Sequence, residues 1–401
     1  VRDKSDELPS RVPYYLISAG EPSGDLLASE LVKALAQRCP ELRPIGIAGP
    51  KMIEAGVEPL ATIDDLAVMG FVEVIKHLPR LKLLESELLA QMDRRQPLFA
   101  VLVDYPGFHM RLAESLRLRG IKVVQYVAPQ LWAWGAKRTE KLKHVTDLVL
   151  GIMPFEEDFF KQRGVSYHYV GTPQVDRVRD VLAQGGAMKL DQEAVYCGFF
   201  PGSRWGEVSR ILPMIRRIRD EMRQRSPDLQ YAVSVAPGLP VEAFESLIGT
   251  ENLAVARHAL EQDQRWQQQD TIFVRGQSLK LMAKVDAALV TSGTATLECA
   301  LTGTPMAVAY VMNNLSYQIA RRLVKLPYIS LVNLVADRPL IQEYVQLFEP
   351  KDVADELLRL LEDMIYRRRL QNDLRGLMER LQGDLADHAA VQIIESLLMR
   401  A

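Results

Sequence analysis

Residues 286–311, DAALVTSGTATLECALTGTPMAVAYV, constrain the fold most. They read strand, small-residue loop, helix, Gly-Pro break, strand. Residues 287–290 form the short apolar run that a parallel strand buried on both faces requires. Ser292-Gly293-Thr294 turns the chain, residues 294–301 have helical character, Gly303 stops that helix and Pro305 opens the next strand. The first amides of such a helix lack internal partners and carry partial positive charge. With no side chain on Gly293 to block approach, this is a seat for a phosphate. Glu298, one turn further in, suits sugar hydroxyls instead. The alternative is an ordinary strand-to-helix turn with a capping Ser or Thr.

The same plan opens the chain. Residues 14–19 are strand-like, Gly20-Glu21-Pro22-Ser23-Gly24-Asp25 is the loop, and residues 26–36 have helical spacing. The loop is not G-x-G-x-x-G, so no dinucleotide fingerprint is read from it. Strand-like runs recur at 45–48, 98–103, 123–127, 148–152 and 167–170. The stretch 172–193 is less regular, and the pattern restarts at 195–200, followed by Pro201-Gly202-Ser203-Arg204 and a long helix over 208–225. Further strands are expected at 231–235, 272–274, 287–290 and 306–310. This gives an α/β chain with one Rossmann-like domain over 1–172, a second over 173–349, and C-terminal helices over 350–401. The size fits two cores, since 401 residues exceed what one core serves. In the terminal helices, Val353, Leu357, Leu358 and Leu361 mark one apolar face.

Net charge is -2, which argues against a nucleic-acid partner. Cys39, Cys197 and Cys299 match no metal or disulfide spacing and fit a reducing cytosol. The polar opening VRDKSDELPSRV lacks the apolar centre of a secretory signal, and no run reaches the length of a membrane span. Residues 66–75, LAVMGFVEVI, are apolar almost throughout and lie beside Lys76, Arg80 and Lys82. They read either as buried core or as a segment at a membrane surface.

Candidate chemistry lies at strand ends. Asp104, in LFAVLVDYPGF, is placed as a general base or as the N-cap of a helix starting near Phe108. Arg204 offers a planar cation to a diphosphate. Trp132 and Trp134 line an apolar or sugar-binding wall, or pack in the core. Asn333, Glu343 and Gln346 are hydrogen-bonding groups suited to a nucleoside or sugar. No Asp-x-Asp pair, Walker loop or His/Cys cluster occurs in the sequence. A bound diphosphate would therefore be met by helix N-termini and Arg204.

GEPSGD at 20–25, IAGPKM at 47–52, LAVMGFVEV at 66–74, APQLWAWGAKR at 128–138, PGSR at 201–204 and SGTATLE at 292–298 together resemble the lipid-A-disaccharide synthase family. The resemblance covers roughly residues 14–350. It implies a GT-B glycosyltransferase, two Rossmann-like domains with the active site between them. The implied reaction is inverting, metal-independent transfer of 2,3-diacylglucosamine from its UDP donor to the 6-hydroxyl of 2,3-diacylglucosamine 1-phosphate (lipid X), with no cofactor. By position, Asp104 matches the family's base. Ser203, Arg204, Ser292, Gly293, Thr294, Glu298, Asn333 and Gln346 match its donor side. Glu21, Ser23, Gly24, Asp25, Trp132 and Trp134 fall on the first loop or the acceptor side. Leu66, Val68, Met69, Phe71, Val72 and Ile75 fall in the segment that faces the membrane or acyl chains. A cytoplasmic location, peripheral on the inner membrane, is implied, and a homodimer through the C-terminal helices is an extrapolation. Gly107 and Gly135 depart from the family pattern. The alternatives are UDP-N-acetylglucosamine 2-epimerase, the peptidoglycan N-acetylglucosaminyl transferase, and a non-catalytic membrane-peripheral binding protein.

Overall fold

The computed structural model describes residues 12–66, 71–133, 135–184, 188, 190–191, 193–323, 326–381 and 383–399, with the side chains of 71–78, 315–316, 319–320 and 323 left aside. Of the expected site residues, Val68, Met69 and Trp134 lie outside the described set. Phe71, Val72 and Ile75 are described in backbone only, as the start of the Phe71–Arg95 helix. Leu66, expected to face the membrane or acyl chains, is instead fully buried, because it joins the apolar layer that holds Leu16, Ile45 and Ile47.

The chain divides into two units, one of residues 1–172 with 384–401, the other of residues 173–383. The first is a seven-stranded sheet, all parallel: β1 Tyr14–Ala19, β2 Arg43–Ala48, β3 Glu58–Thr62, β4 Phe99–Val103, β5 Lys122–Tyr126, β6 Leu148–Gly151 and β7 Tyr167–Tyr169. Its order is β3-β2-β1-β4-β5-β6-β7. The period-two alternation of a strand sorts its side chains between two layers. Tyr15, Ile17 and Ala19 face the Pro22–Arg38 helix and the C-terminal residues Leu385, Ala389, Ala390, Ile393 and Leu397. Leu16, Ala100 and Leu102 face Leu88 and Met92 on one helix, and Phe108, Leu112 and Leu116 on the Pro106–Arg117 helix.

The second unit repeats the plan with β8 Tyr196–Phe200, β9 Gln230–Val235, β10 Arg265–Gln268, β11 Thr271–Arg275, β12 Ala287–Val290, β13 Met306–Tyr310 and β14 Glu343–Val345. The order is β10-β11-β9-β8-β12-β13-β14, with only the β10–β11 edge pair antiparallel. One layer buries Phe199, Tyr231 and Val233 against the Trp205–Arg225 helix and the Pro350–Glu362 helix, where Val353, Leu357 and Leu358 form the expected apolar face.

Three expectations change. The irregular stretch after Thr172 holds a helix, Pro173–Ala183, because Pro at the first helical position ends the preceding loop without costing the helix a hydrogen bond. The edge strands β3, β10 and β14 carry too few apolar residues to be read from sequence. The C-terminal helices do not form one package: Pro350–Glu362 and Met364–Met378 belong to the second unit, whereas Leu385–Ile393 belongs to the first. Among the described residues, no helix is long and apolar enough to cross a membrane.

Candidate active site

In each sheet the strand order reverses once, between β1 and β4 and between β8 and β12. Open α/β sheets bind ligands beyond the strand carboxyl ends at such a point. Four of the loops singled out in the sequence lie there, the turns after β1, β4, β8 and β12, while the Trp132 loop follows β5.

In the first unit, β4 delivers Asp104 into a turn of two consecutive left-handed residues, Asp104 at φ 49° and Tyr105 at φ 48°. The helix after this turn starts at Pro106 with Tyr105 at the N-cap, so Asp104 is not its cap. Asp104 is half-buried. Burial holds its carboxyl above the usual aspartate range, with a hydrogen bond from the Tyr105 backbone pulling it back. The Asp104 carbonyl accepts from His109 Nδ1 at 2.7 Å and from Gln125 Nε2 at 3.4 Å. Tyr105 reaches across Gly20 and donates to the Leu66 carbonyl at 2.9 Å. The turn after β1, the turn after β4 and the entrance to the apolar segment are thus tied together.

The first loop divides into two kinds of residue. Glu21 and Ser23 are exposed, while Gly24 packs near Ala19 and Val103. Asp25, expected on the first loop or the acceptor side, is buried. Its oxygens accept the amides of Gly49, Lys51 and Met52, each at 3.0 Å. It caps the Pro50–Glu54 helix, which explains why GEPSGD and IAGPKM occur together: the first motif supplies the carboxylate that the second motif's amides require. Trp132 is half-buried. Its Nε1 donates to Glu156 Oε1 at 2.8 Å, and its ring meets Phe155 edge-on at 4.8 Å. Tyr167 donates to the other Glu156 oxygen at 2.9 Å. Burial outweighs both donors and pushes the Glu156 carboxyl up to about 7.

In the second unit, β8 and β12 are neighbours, with Phe200 opposite Val290. Their turns are therefore side by side, and a β-carbon on Gly202 would stand 3.2 Å from Thr291 Oγ1. Gly293, at φ 135°, caps the Thr294–Leu301 helix, and the space where its β-carbon would lie is open. Ser203 and Arg204 are exposed. Arg204 stands at the N-cap of the Trp205–Arg225 helix, 81% exposed, and reaches Glu207 Oε1 at 3.1 Å.

Glu298 is buried on the first turns of its helix, where Arg177 donates to its Oε1 at 2.8 Å. Burial raises its carboxyl and Arg177 lowers it, with burial the larger effect. Ser292 Oγ donates to the Ile329 carbonyl at 2.9 Å. Asn333, expected to meet the donor, is buried and saturated. Its Nδ2 donates to Ile341 O at 2.9 Å and Glu343 Oε1 at 2.8 Å, while its Oδ1 accepts the amides of Leu340 at 2.8 Å and Ile341 at 2.9 Å. It has no hydrogen-bonding capacity left for a ligand. Glu343 also accepts from the amides of Ile329 and Ser330, each at 2.9 Å, so the pair holds the segment on which Ser292 rests. Gln346, at φ 60°, accepts from Met312 N at 3.0 Å and donates to Asn314 Oδ1 at 2.9 Å.

Sequence reading missed Arg177, His109, Gln125, Tyr105 and Glu156. Arg177, Gln125, Tyr105 and Glu156 act through partners 21 to 121 residues away, and His109 acts through a backbone carbonyl, relations that no local pattern carries.

Two doubly wound α/β units with loops gathered at their switch points define the GT-B class. Among solved structures, the glycotransferase of kitacinnamycin is similar at TM-score 0.63 with 15% identity, over 96% of this chain and 100% of that one. A UDP-N-acetylglucosamine 2-epimerase from Listeria monocytogenes, described as putative, is similar at TM-score 0.62 with 10% identity, over 98% of each. At these identities the likeness is one of fold. The sequence pattern of the lipid-A-disaccharide synthetase family matches residues 15–394. The lipid-A-disaccharide synthase of Trichlorobacter lovleyi is 36% identical over 97% of this chain and 98% of its own length. That of Anaeromyxobacter dehalogenans is 37% identical over 90% of this chain and 91% of its own. The chain belongs to the lipid-A-disaccharide synthetase family, a family of glycosyltransferases in lipid A biosynthesis.

Proposed function

We propose that this chain transfers 2,3-diacylglucosamine from its UDP donor to the 6-hydroxyl of 2,3-diacylglucosamine 1-phosphate, with inversion and without a metal ion. The placement of Asp104 carries this reading: a half-buried carboxylate at a switch point, with its proton affinity raised. That combination suits a base that takes a hydroxyl proton near neutral pH. As the acceptor oxygen bonds to the anomeric carbon, the bond from that carbon to the diphosphate oxygen breaks. The proton passes to Asp104 and UDP departs. A single displacement of this kind inverts the anomeric centre.

The donor falls to the second unit. The open amides at Gly293 and Thr294 and the exposed guanidinium of Arg204 receive the diphosphate. Ser203 offers a hydroxyl beside them. Glu298, with one oxygen on Arg177, keeps the other for a sugar hydroxyl, and Gln346 orders the 312–314 turn. Preorganised charge of this kind stabilises a leaving group without reorganisation at the moment of reaction. The acceptor falls to the first unit, near Asp104, Glu21, Ser23 and Trp132. The apolar residues that follow the buried Leu66, up to Ile75, are assigned to acyl chains at the cytoplasmic face of the inner membrane.

Incubation of the protein with both diacylated precursors tests the proposal. The expected result is UDP release that requires both, with a β-1,6-linked disaccharide 1-phosphate as product and no loss on chelation. Asp104→Ala should abolish turnover and leave UDP affinity within about two-fold, while Arg204→Ala should weaken UDP binding about tenfold or more. UDP release from the donor alone, or activity lost on chelation and restored by magnesium, would overturn it.

A further inference from the structure

The turn that carries Asp104 is costly. Two successive non-glycine residues at φ 49° and 48° each sit in a region L-residues avoid, at about 1–2 kcal/mol apiece. Such a conformation persists only where its surroundings over-determine it. Here they do. The Asp104 amide donates to the Tyr126 carbonyl at 2.8 Å. The Asp104 carbonyl takes two donors, His109 Nδ1 at 2.7 Å and Gln125 Nε2 at 3.4 Å. His109 Nε2 lies 2.9 Å from Ser18 Oγ on β1, and Gln125 Nε2 also reaches the Val127 carbonyl at 3.2 Å. Ser18, His109 and Gln125 are 0%, 0% and 1% exposed. A buried polar line therefore crosses β1, β4 and β5 beneath the turn, and its centre is the main-chain oxygen of Asp104.

We propose that His109 is a positioning residue for the reaction: through the Asp104 carbonyl it fixes the left-handed turn and so aims the Asp104 carboxylate, with Gln125 as a second clamp. This rests on the reading of Asp104 as the base.

Partner chemistry fixes the state of the imidazole. A carbonyl oxygen can only accept, so Nδ1 carries the proton and Nε2 accepts from the Ser18 hydroxyl. The ring is neutral, since burial pushes its pKa down to about 4. Neutrality has a use at this place. A cation packed under Asp104 would lower its basicity, whereas a neutral donor holds the turn and leaves the carboxylate's proton affinity intact. The side chain touches no reacting atom; its effect runs entirely through the backbone that carries the base.

Three variants and one spectrum test this. His109→Leu removes the donor; His109→Asn restores one, because the Asn amide nitrogen occupies the place of Nδ1. Asp104→Ala measures the base itself. With Asp104→Ala inactive, His109→Leu should lower kcat about 10²-fold, with KM for both substrates and UDP affinity within about two-fold. His109→Asn should recover to within about threefold of wild type. A folded His109→Leu protein with wild-type kcat overturns the proposal, as does a folded His109→Asn protein as slow as His109→Leu. If Asp104→Ala retains its rate, the base assignment falls and this proposal with it. If Asp104→Ala is inactive and only the histidine arms fail, the base assignment stands. Should His109→Leu not fold, the imidazole 15N shifts of the wild-type protein decide. A ring protonated at Nδ1 at pH 7 is expected, and a ring that carries its proton at Nε2 alone overturns the proposal.

Discussion

Tyr105 lays its ring across Gly20 so closely that a β-carbon on Gly20 would stand 2.3 Å from the ring's Cγ. The contact lets the Tyr105 hydroxyl reach the Leu66 carbonyl. Gly20→Ala should therefore force the ring aside and strain the left-handed turn behind it. We expect a loss of about 1–3 kcal/mol in stability, read as a lower denaturant midpoint. A midpoint equal to wild type would mean that the ring moves freely.

Glu156 makes stability depend on pH. Its carboxyl is held up at about 7 against an ordinary 4.5. The folded chain then keeps a proton that the unfolded chain gives up, so its contribution is fully present below about 4.5 and is lost as pH rises through about 7. Glu156→Gln copies the protonated form. Its amide oxygen accepts from Trp132, and its nitrogen donates to Tyr167, whose hydroxyl has the Met153 carbonyl at 3.1 Å as its own acceptor. Melting curves of the two proteins should coincide near pH 4.5. By pH 8 the variant should be more stable, by at most about 3 kcal/mol. Equal differences at both pH values would sink this account.

Arg177 and Glu298 are unequal partners, with side chains 63% and 7% exposed. Removing the exposed arginine strands the buried carboxylate, whereas removing both charges does not. Arg177→Ala should destabilise the protein more than the Arg177→Ala, Glu298→Gln double variant, by about 1–3 kcal/mol. Chemical denaturation of the two proteins measures the difference. A double variant less stable than the single one would show that Glu298 does not need its ion pair.

Asn333 has every polar atom engaged, so its loss should be felt twice. Asn333→Ala leaves the amides of Leu340 and Ile341 without their acceptor and loosens the segment on which Ser292 rests. Stability should fall by about 2–4 kcal/mol. UDP affinity should fall with it, although Asn333 touches no ligand on this reading. Isothermal titration with UDP on the folded variant tells the two apart: unchanged affinity would break the link from Asn333 through Ile329 to Ser292.

How much of this was legible in the chain depends on where each partner lies. The strand-loop-helix units were legible because their apolar runs and Gly or Pro stops are local. Strands β3, β10 and β14 were not, because edge strands need no continuous apolar face and Glu-Tyr-Val at 343–345 carries none. Asp25 lies on the first loop as expected, but its role as a cap is not legible there, because a carboxylate in a glycine loop looks free until its partners, 24 to 27 residues on, are known. Glu298 was placed on the right turn of the right helix, but Arg177, 121 residues upstream, left no trace near it. For Asp104 the sequence is compatible with both a base and a cap. Only the backbone at Tyr105 and Pro106 decided against the cap.

The first unit buries Leu385, Ala389, Ala390, Ile393 and Leu397 within its own layers. The ribosome makes these residues only after the whole second unit. The earliest sheet to be synthesised must therefore wait, with the face that Tyr15 and Ile17 share still uncovered, until that helix arrives. A stop codon placed after residue 383 would leave the second unit entire, yet cripple the domain that was translated before it.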